Sequence, residues 1–406
     1  MPHTPIGLTQ ITKSTAVASL RARIGQILGR LGIPRPLPSQ PSPVFYVTNT
    51  KYGLDDSGRY WLRDNEHNRI ILKGINLPLL DDWLFPATNP IGKLDQLAKS
   101  GANCVRIQWY DDYDSDGRPP YSTSDLDRVL EACRTSRLIP LVTLFDCTCE
   151  PDPELVNTQL MSWWTRPDVL AVLKRHQRYL IINLANELGS YRWQNWSQTA
   201  LNNFKNAYKK AITTIRNSGL RAPIMIDAPD CGTSVNAFLT IGQELIDHDP
   251  QHSILLSTHT YWGGADYDGS SDVDLAIRAK LPIVVGEIAN KQPANGEECY
   301  YALDETGINH KPLSGFSYKK FLVYLTQMEV GWLAWSWGPD KCDHRRMTFW
   351  HNPQEPGDGS YTGPPSGNPT GLTPYGCDIL HHGTYGLRLG YFRPQKTNSL
   401  PGSPPS

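Results

Sequence analysis

The sequence is short of several things, and each absence narrows the field. It has almost no net charge: 39 Lys and Arg stand against 40 Asp and Glu, a balance of −1. Nothing in that balance favours nucleic acid or an anionic membrane surface as a partner. It has no apolar run of the roughly 18–20 residues that a bilayer crossing needs. The stretch 14–33 is broken by Arg21, Arg23 and Arg30, so it lacks the uncharged apolar core of a signal peptide and reads as a loose amphipathic helix. No short repeat of solenoid type is present. Clean metal-ligand spacing is missing too. Cys342-Asp-His344 and the pair His381-His382 come nearest, with no second Cys or His at ligand spacing beside them. Neither a metal nor a cofactor is expected.

What is present is ordinary globular material: 406 residues, 39% hydrophobic and 19% charged. That length fits one barrel domain of roughly 250–330 residues with tails better than two domains. The run 34–43 carries prolines at 34, 36, 38, 41 and 43 and reads as a stiff extended linker. The expected organisation is an extension and linker over 1–43, a folded domain over 44–390 with a Pro/Gly-rich excursion at 353–371, and a flexible tail over 391–406. Cys104 and Cys133 fall in an expected strand and helix and read as small buried hydrophobes. The other six cysteines fall at strand ends or in loops. Cys147 and Cys149 are too close for an easy mutual disulfide, and spacing alone does not give a connectivity. Twelve Trp and 19 Tyr are an unusual load, more common where flat sugar faces are stacked, although core and loop filling accounts for most single rings.

Along the domain, strands and helices alternate. A small hairpin is expected over 45–52 and 60–62, turning at Asp56-Ser-Gly58. Strands follow at 69–76, 103–109, 138–145, 179–187, 223–227, 254–261, 281–287 and 331–337. Helices are expected at 92–100, 124–135, 167–177 and 197–217. The second of these places Leu126, Val129, Leu130 and Cys133 at i, i+3, i+4, i+7 spacing. Pro167 opens the third and Gly219 stops the fourth. Strands apolar on both faces belong to a covered parallel sheet. Eight of them with interleaved helices predict a (β/α)8 barrel, class α/β.

Two of these strands end an apolar run with a glutamate, Glu187 and Glu287. In such a barrel the C-terminal strand ends share one face. They would gather Arg106, Phe145, Asp146, Asn186, Glu187, His259, Tyr261, Glu287 and Trp335 there. Two carboxyls about 5–5.5 Å apart equip a site for glycoside cleavage with retention, one as acid/base and one as nucleophile. An arginine beside one carboxylate favours its charged form. Asn and Tyr can bond ring hydroxyls, and Trp gives a sugar an apolar floor.

The same residues resemble glycoside hydrolase family 5 of clan A, most of all the bacterial endo-β-1,4-mannanases of its subfamily 8. The resemblance rests on Gly101-Ala-Asn-Cys-Val-Arg-Ile107, Leu184-Ala-Asn-Glu187, His259-Thr-Tyr261, Gly286-Glu-Ile288 and Gly331-Trp-Leu-Ala-Trp-Ser-Trp337. Leu372-Thr-Pro-Tyr-Gly376 and Thr384-Tyr-Gly386 extend it to the end of the domain. It implies that Glu187 is the acid/base and Glu287 the nucleophile. It also implies that Arg106, Asn186, His259, Tyr261 and Trp335 line the −1 subsite, with Asp146 and Phe145 supporting it. The chain departs from the family where Phe145 replaces a histidine, at Leu188 after the acid/base and at Ile288 after Gly-Glu.

The expected activity is endo-acting, retaining hydrolysis of a β-1,4-linked polysaccharide, mannan first. The alternatives are the same chemistry on β-glucan or glucomannan, or an impaired barrel that binds polysaccharide. A monomer is expected, with polysaccharide as its partner. The substrate class points outside the cell.

Overall fold

In a computed structural model of the chain, the structure describes residues 45–48, 57–79, 90–111, 122–263, 267–303, 315–338, 340, 342, 344–348 and 372–389. The expected extension over 1–43, the second half of the first hairpin strand, the excursion 353–371 and the tail lie outside these residues.

Strands β1 (Tyr46–Thr48) and β2 (Trp61–Arg63) pair antiparallel, as the hairpin reading requires. Eight further strands close a barrel: β3 (Lys73–Leu77), β4 (Cys104–Trp109), β5 (Ile139–Leu144), β6 (Ile181–Asn183), β7 (Ile224–Asp227), β8 (Ile254–His259), β9 (Ile283–Ile288) and β12 (Gly331–Ala334). The order is β12-β3-β4-β5-β6-β7-β8-β9, and every neighbouring pair is parallel. All of these strand residues are buried, which is why the runs read as apolar without alternation.

The hairpin closes one end of the barrel. Phe45, Val47 and Leu62 pack with Cys104, Ile181, Met225 and Leu333 from inside it, a cluster separate from the main core. The chemistry is left to the other end. Outside, amphipathic helices bury one face each. Helix Thr123–Thr135 starts in a capping box between Ser122 and Asp125 and buries Leu126, Val129, Leu130 and Cys133. Helix Gln198–Asn217 buries Leu201, Phe204, Tyr208, Ile212 and Ile215. No helix among the described residues is long and apolar enough to cross a membrane.

Three expected strands are shorter than their apolar runs. The first barrel strand begins at Lys73 because Ile70 N–H donates to Leu62 O of the hairpin instead. The fourth ends at Asn183, so Glu187 stands on a turn with φ 54°. The eighth ends at Ala334, one residue before the cis peptide Trp335–Ser336. Helices Asn236–His248 and Ser270–Arg278 went unread, and neither has a side-chain cap at its start. The hairpin β10 (Lys291–Ala294) and β11 (Glu297–Ala302) was also missed. Its Asn295-Gly296 turn, with both residues at positive φ, was a legible hairpin signal.

Candidate active site

Arg106 is the hub. It lies on β4, is 1% exposed, and points into the barrel mouth. Nη1 donates to Glu287 Oε1 at 2.7 Å and to Asn76 Oδ1 at 3.1 Å. Nη2 donates to Asn186 Oδ1 at 2.7 Å and Asp227 Oδ2 at 3.0 Å, and Nε to Asn183 Oδ1 at 3.1 Å. A guanidinium needs this many acceptors to be buried at tolerable cost. Asn76 is itself fixed, since Nδ2 donates to Gly286 O at 2.9 Å.

Glu287, the last residue but one of β9, is held on both oxygens. Arg106 takes one, and Tyr261 Oη donates to the other at 2.9 Å. Burial raises this carboxyl above its ordinary range; His259, Arg106 and the Tyr261 hydroxyl pull the other way, while Glu187 adds to the rise.

Glu187 has a different setting. Its closest polar partner is His259 Nδ1, 2.6 Å from Oε1. Burial first, then the Asp227 carboxylate, push Glu187 up to about 8, against the pull of Arg106 and Arg345. Burial lowers His259, against the pull of the Glu287 and Asp227 carboxylates. Nδ1 also lies 3.5 Å from Glu287 Oε1, and Nε2 faces Asp227 Oδ2 at 3.6 Å. His259 fits because two neighbours are glycines. A Cβ on Gly232 would stand 2.6 Å from its Cγ, and one on Gly286 would stand 2.9 Å from its Nε2.

Oxygens of Glu187 and Glu287 lie within 4.8 Å of one another and of a His259 nitrogen. That is well short of the roughly 6.5–9.5 Å that leaves room for a water between two carboxyls. The pair opens on a cleft of about 620 Å³ whose walls include Phe145, Asn186, Trp193, Tyr261 and Trp335.

The structure thus brings seven of the expected residues together: Arg106, Asn186, Glu187, His259, Tyr261, Glu287 and Trp335. Arg106 and His259 are buried and reach the cleft through their bonds to Glu287, Asn186 and Glu187. Phe145 does line it, with its ring 5.1 Å from the Arg106 guanidinium and stacked 6.4 Å from Trp335. Asp146 does not belong to the cleft: it is exposed and accepts the Asp111 N–H at 3.0 Å, because the residue after an inward Phe145 turns outward.

Several contributors were missed. Asp227 ends an apolar run just as the two glutamates do, so the rule that found them would have found it. Asn183 and Asn76 carry no such signal. Arg345 and Asp340 form a buried ion pair at 2.9 Å, and Asp340 also accepts the Trp335 indole N–H. The guanidinium lies 5.7 Å from the Tyr261 ring and 6.0 Å from Trp335. Two disulfides frame the mouth. Cys149–Cys231 joins the loops after β5 and β7, and Cys299–Cys342 ties β11 to the segment holding Asp340. Cys149 Sγ lies 3.3 Å from Glu187 Oε2, but a disulfide sulfur has no proton to donate. Cys342, committed to Cys299, is also removed from the weak zinc reading. Cys104 and Cys133 are buried free thiols, as expected.

Residues 64–341 match the family described as Cellulase (glycosyl hydrolase family 5). A mannan endo-1,4-beta-mannosidase of Salipaludibacillus agaradhaerens is 27% identical over 247 residues, 59% of this chain and 68% of that protein. One from Cellvibrio japonicus is 26% identical over 285 residues, 68% of this chain and 57% of that protein. The solved beta-mannanase from Thermomonospora fusca has a TM-score of 0.62 at 19% identity, covering 86% of this chain and 97% of that one, a likeness of fold. A family match over most of the barrel, with the barrel itself closed as the strand pattern requires, means that the chain belongs to glycosyl hydrolase family 5, a family of O-glycosyl hydrolases.

Proposed function

We propose that the chain hydrolyses internal β-1,4 bonds of mannan with retention of configuration, Glu287 acting as nucleophile and Glu187 as acid/base. The observation that carries this reading is the short separation of two buried carboxyls with different partners, one bonded by Arg106 and Tyr261 and the other set against His259 and Asp227. A carboxylate gripped by Arg106 and Tyr261 is suited to attack the anomeric carbon as an anion. A carboxyl pushed up to about 8 is suited to carry a proton near neutral pH.

In the first step a Glu287 oxygen bonds the anomeric carbon as the bond to the leaving oxygen breaks. Glu187 gives that oxygen its proton, so the released chain end leaves as an alcohol and the sugar stays as an ester on Glu287. In the second step Glu187, now a carboxylate, takes a proton from water, whose oxygen displaces Glu287. Asn186 lines the cleft with its Oδ1 turned to Arg106 and its Nδ2 to Thr148 Oγ1 at 3.1 Å, which fixes the amide beside the reacting sugar. Phe145 and Trp335 offer two stacked rings as an apolar wall. Mannan rather than glucan is favoured by the relatives named mannan endo-1,4-beta-mannosidase.

The test is a reducing-sugar assay on mannan, glucomannan and carboxymethyl cellulose. Release from mannan and glucomannan well above cellulose is expected. Preference for cellulose would move the substrate to β-glucan, and silence on all three would favour the impaired, polysaccharide-binding barrel.

A further inference from the structure

Three neighbouring strands, β5, β6 and β7, send their loops to one corner of the cleft. Those loops carry Cys149, Glu187 and Cys231. The two cysteines are bonded to each other, and both line the cleft, Cys149 exposed and Cys231 half-buried. Their sulfurs and a Glu187 carboxylate oxygen all lie within 4.8 Å of one another. The chemistry proposed above uses the carboxyl and gives the sulfurs no task.

The corner is held by more than the disulfide. Gly189 N–H donates to Glu150 O at 2.8 Å, which joins the β6 loop to the β5 loop. Asp230 N–H donates to Gly189 O at 2.8 Å, which joins the β7 loop to the β6 loop. The fully buried Asp230 carboxylate accepts the backbone N–H of Tyr191 at 2.9 Å and of Arg192 at 2.7 Å. Opening the S–S bond therefore leaves all three side chains at one corner. Cys147, two residues from Cys149, is buried and donates its S–H to Gln159 Oε1 at 2.7 Å, so it is not a fourth member.

A disulfide that faces the cleft is open to reduction. A dithiol supplies two electrons and two protons: the S–S bond breaks, both cysteines become thiols, and the dithiol closes to its own disulfide. Two cysteine sulfurs and a carboxylate oxygen then make a donor set that suits zinc, which takes thiolate readily and accepts three protein ligands with a fourth position open. Binding displaces one proton from each thiol.

We propose that Cys149, Cys231 and Glu187 form a latent site for a thiophilic divalent cation of the zinc type, closed while the disulfide is intact and opened by its reduction. A Glu187 carboxylate that ligates the cation has no proton to give a leaving group, so the loaded enzyme is inactive. That consequence rests on the acid/base role proposed above for Glu187; the binding itself does not.

The test uses the full chain, oxidised or reduced with a dithiol and freed of it under argon. Cobalt(II) is the turnover-free probe, because thiolate ligation gives it a charge-transfer band. The band is expected in the reduced parent. It should be absent from the oxidised parent, which keeps the free thiols Cys104, Cys133, Cys147 and Cys377 and is a folded control in its own right. It should also be absent from reduced C149S/C231S, which keeps Cys299 and Cys342. No band in the reduced parent, or the same band in either control, would overturn the site. Reduced E187Q keeps both sulfurs and loses the charged oxygen, so its cobalt affinity is expected to fall by about tenfold; an unchanged affinity would overturn the three-ligand set. With mannan as substrate, zinc is expected to half-inhibit the reduced parent at a concentration about tenfold or more below that for the oxidised parent. Equal inhibition of the two forms would place the metal on Glu187, His259 and Glu287 instead, and would overturn the proposal. The cobalt readout stands even if the parent fails to cleave mannan.

Discussion

The ends of β6 and β9 each present a buried glutamate, and the two could hardly be treated more differently. Glu287 continues its strand directly and meets donors on both oxygens, a guanidinium and a phenol. Glu187 stands beyond its strand on a left-handed turn, against an imidazole, a disulfide and the Asp227 carboxylate. One environment supplies charge to hold an anion; the other withholds it. The side chains are identical, so any difference in role comes from the neighbours.

The sharpest way to break this contrast is to remove the gripped carboxylate. Glu287→Gln keeps the shape and loses the nucleophile, and kcat on mannan is expected to fall by about 10⁴-fold or more. Steady-state kinetics check this. Residual activity near the parent's would mean that Glu287 is not the attacking group.

Glu187→Gln is the next largest. Its loss on mannan is expected at about 10²–10⁴-fold, the range of a lost general acid. An aryl glycoside with a very good leaving group needs little protonation and should retain its first step. The parent's activity should decline as pH rises through about 8, where Glu187 loses its proton, and the variant's profile should lack that limb. Stability carries the same signature. A carboxyl raised in the fold contributes fully below its unfolded value, and that contribution is lost as pH rises through the folded one. The Tm of Glu187→Gln should therefore gain on the parent's between pH 5 and 9. A gap that stayed constant would contradict the raised value.

Smaller effects sharpen the account. Tyr261→Phe removes one hydrogen bond to Glu287, about 1.5–3 kcal/mol, so roughly a ten- to hundredfold loss in kcat/KM is expected. Phe145→His is the mildest. The ring already lines the cleft beside Arg106, so a histidine there gains a polar edge toward the sugar. A rise in kcat/KM on mannan of up to about tenfold is expected. A lower Tm without a gain in rate would mean that the imidazole finds no partner.

The barrel was legible because parallel strands covered on both faces leave long apolar runs, and β4 and β5 were located to within a residue at each end. The glutamates were legible because each breaks such a run. What stayed hidden has physical reasons. Asn76 and Asn183 matter through three-dimensional convergence on Arg106, and an isolated Asn in a strand carries no pattern. Arg345 and Asp340 lie after β12, in a segment whose own periodicity says nothing of the cleft. The Cys149–Cys231 pair joins loops 82 residues apart, which spacing alone does not reveal. Asp227 is the instructive case, since its apolar run ends in a carboxylate just as those of Glu187 and Glu287 do.

The most direct test of the contrast between the two glutamates is to trap the sugar. Incubation with a 2-deoxy-2-fluoro-β-mannobiosyl fluoride slows the second step more than the first, and peptide mapping by mass spectrometry then reports which residue carries the ester. The account predicts a single label on Glu287. A label on Glu187, or none on an enzyme that turns over mannan, would contradict it.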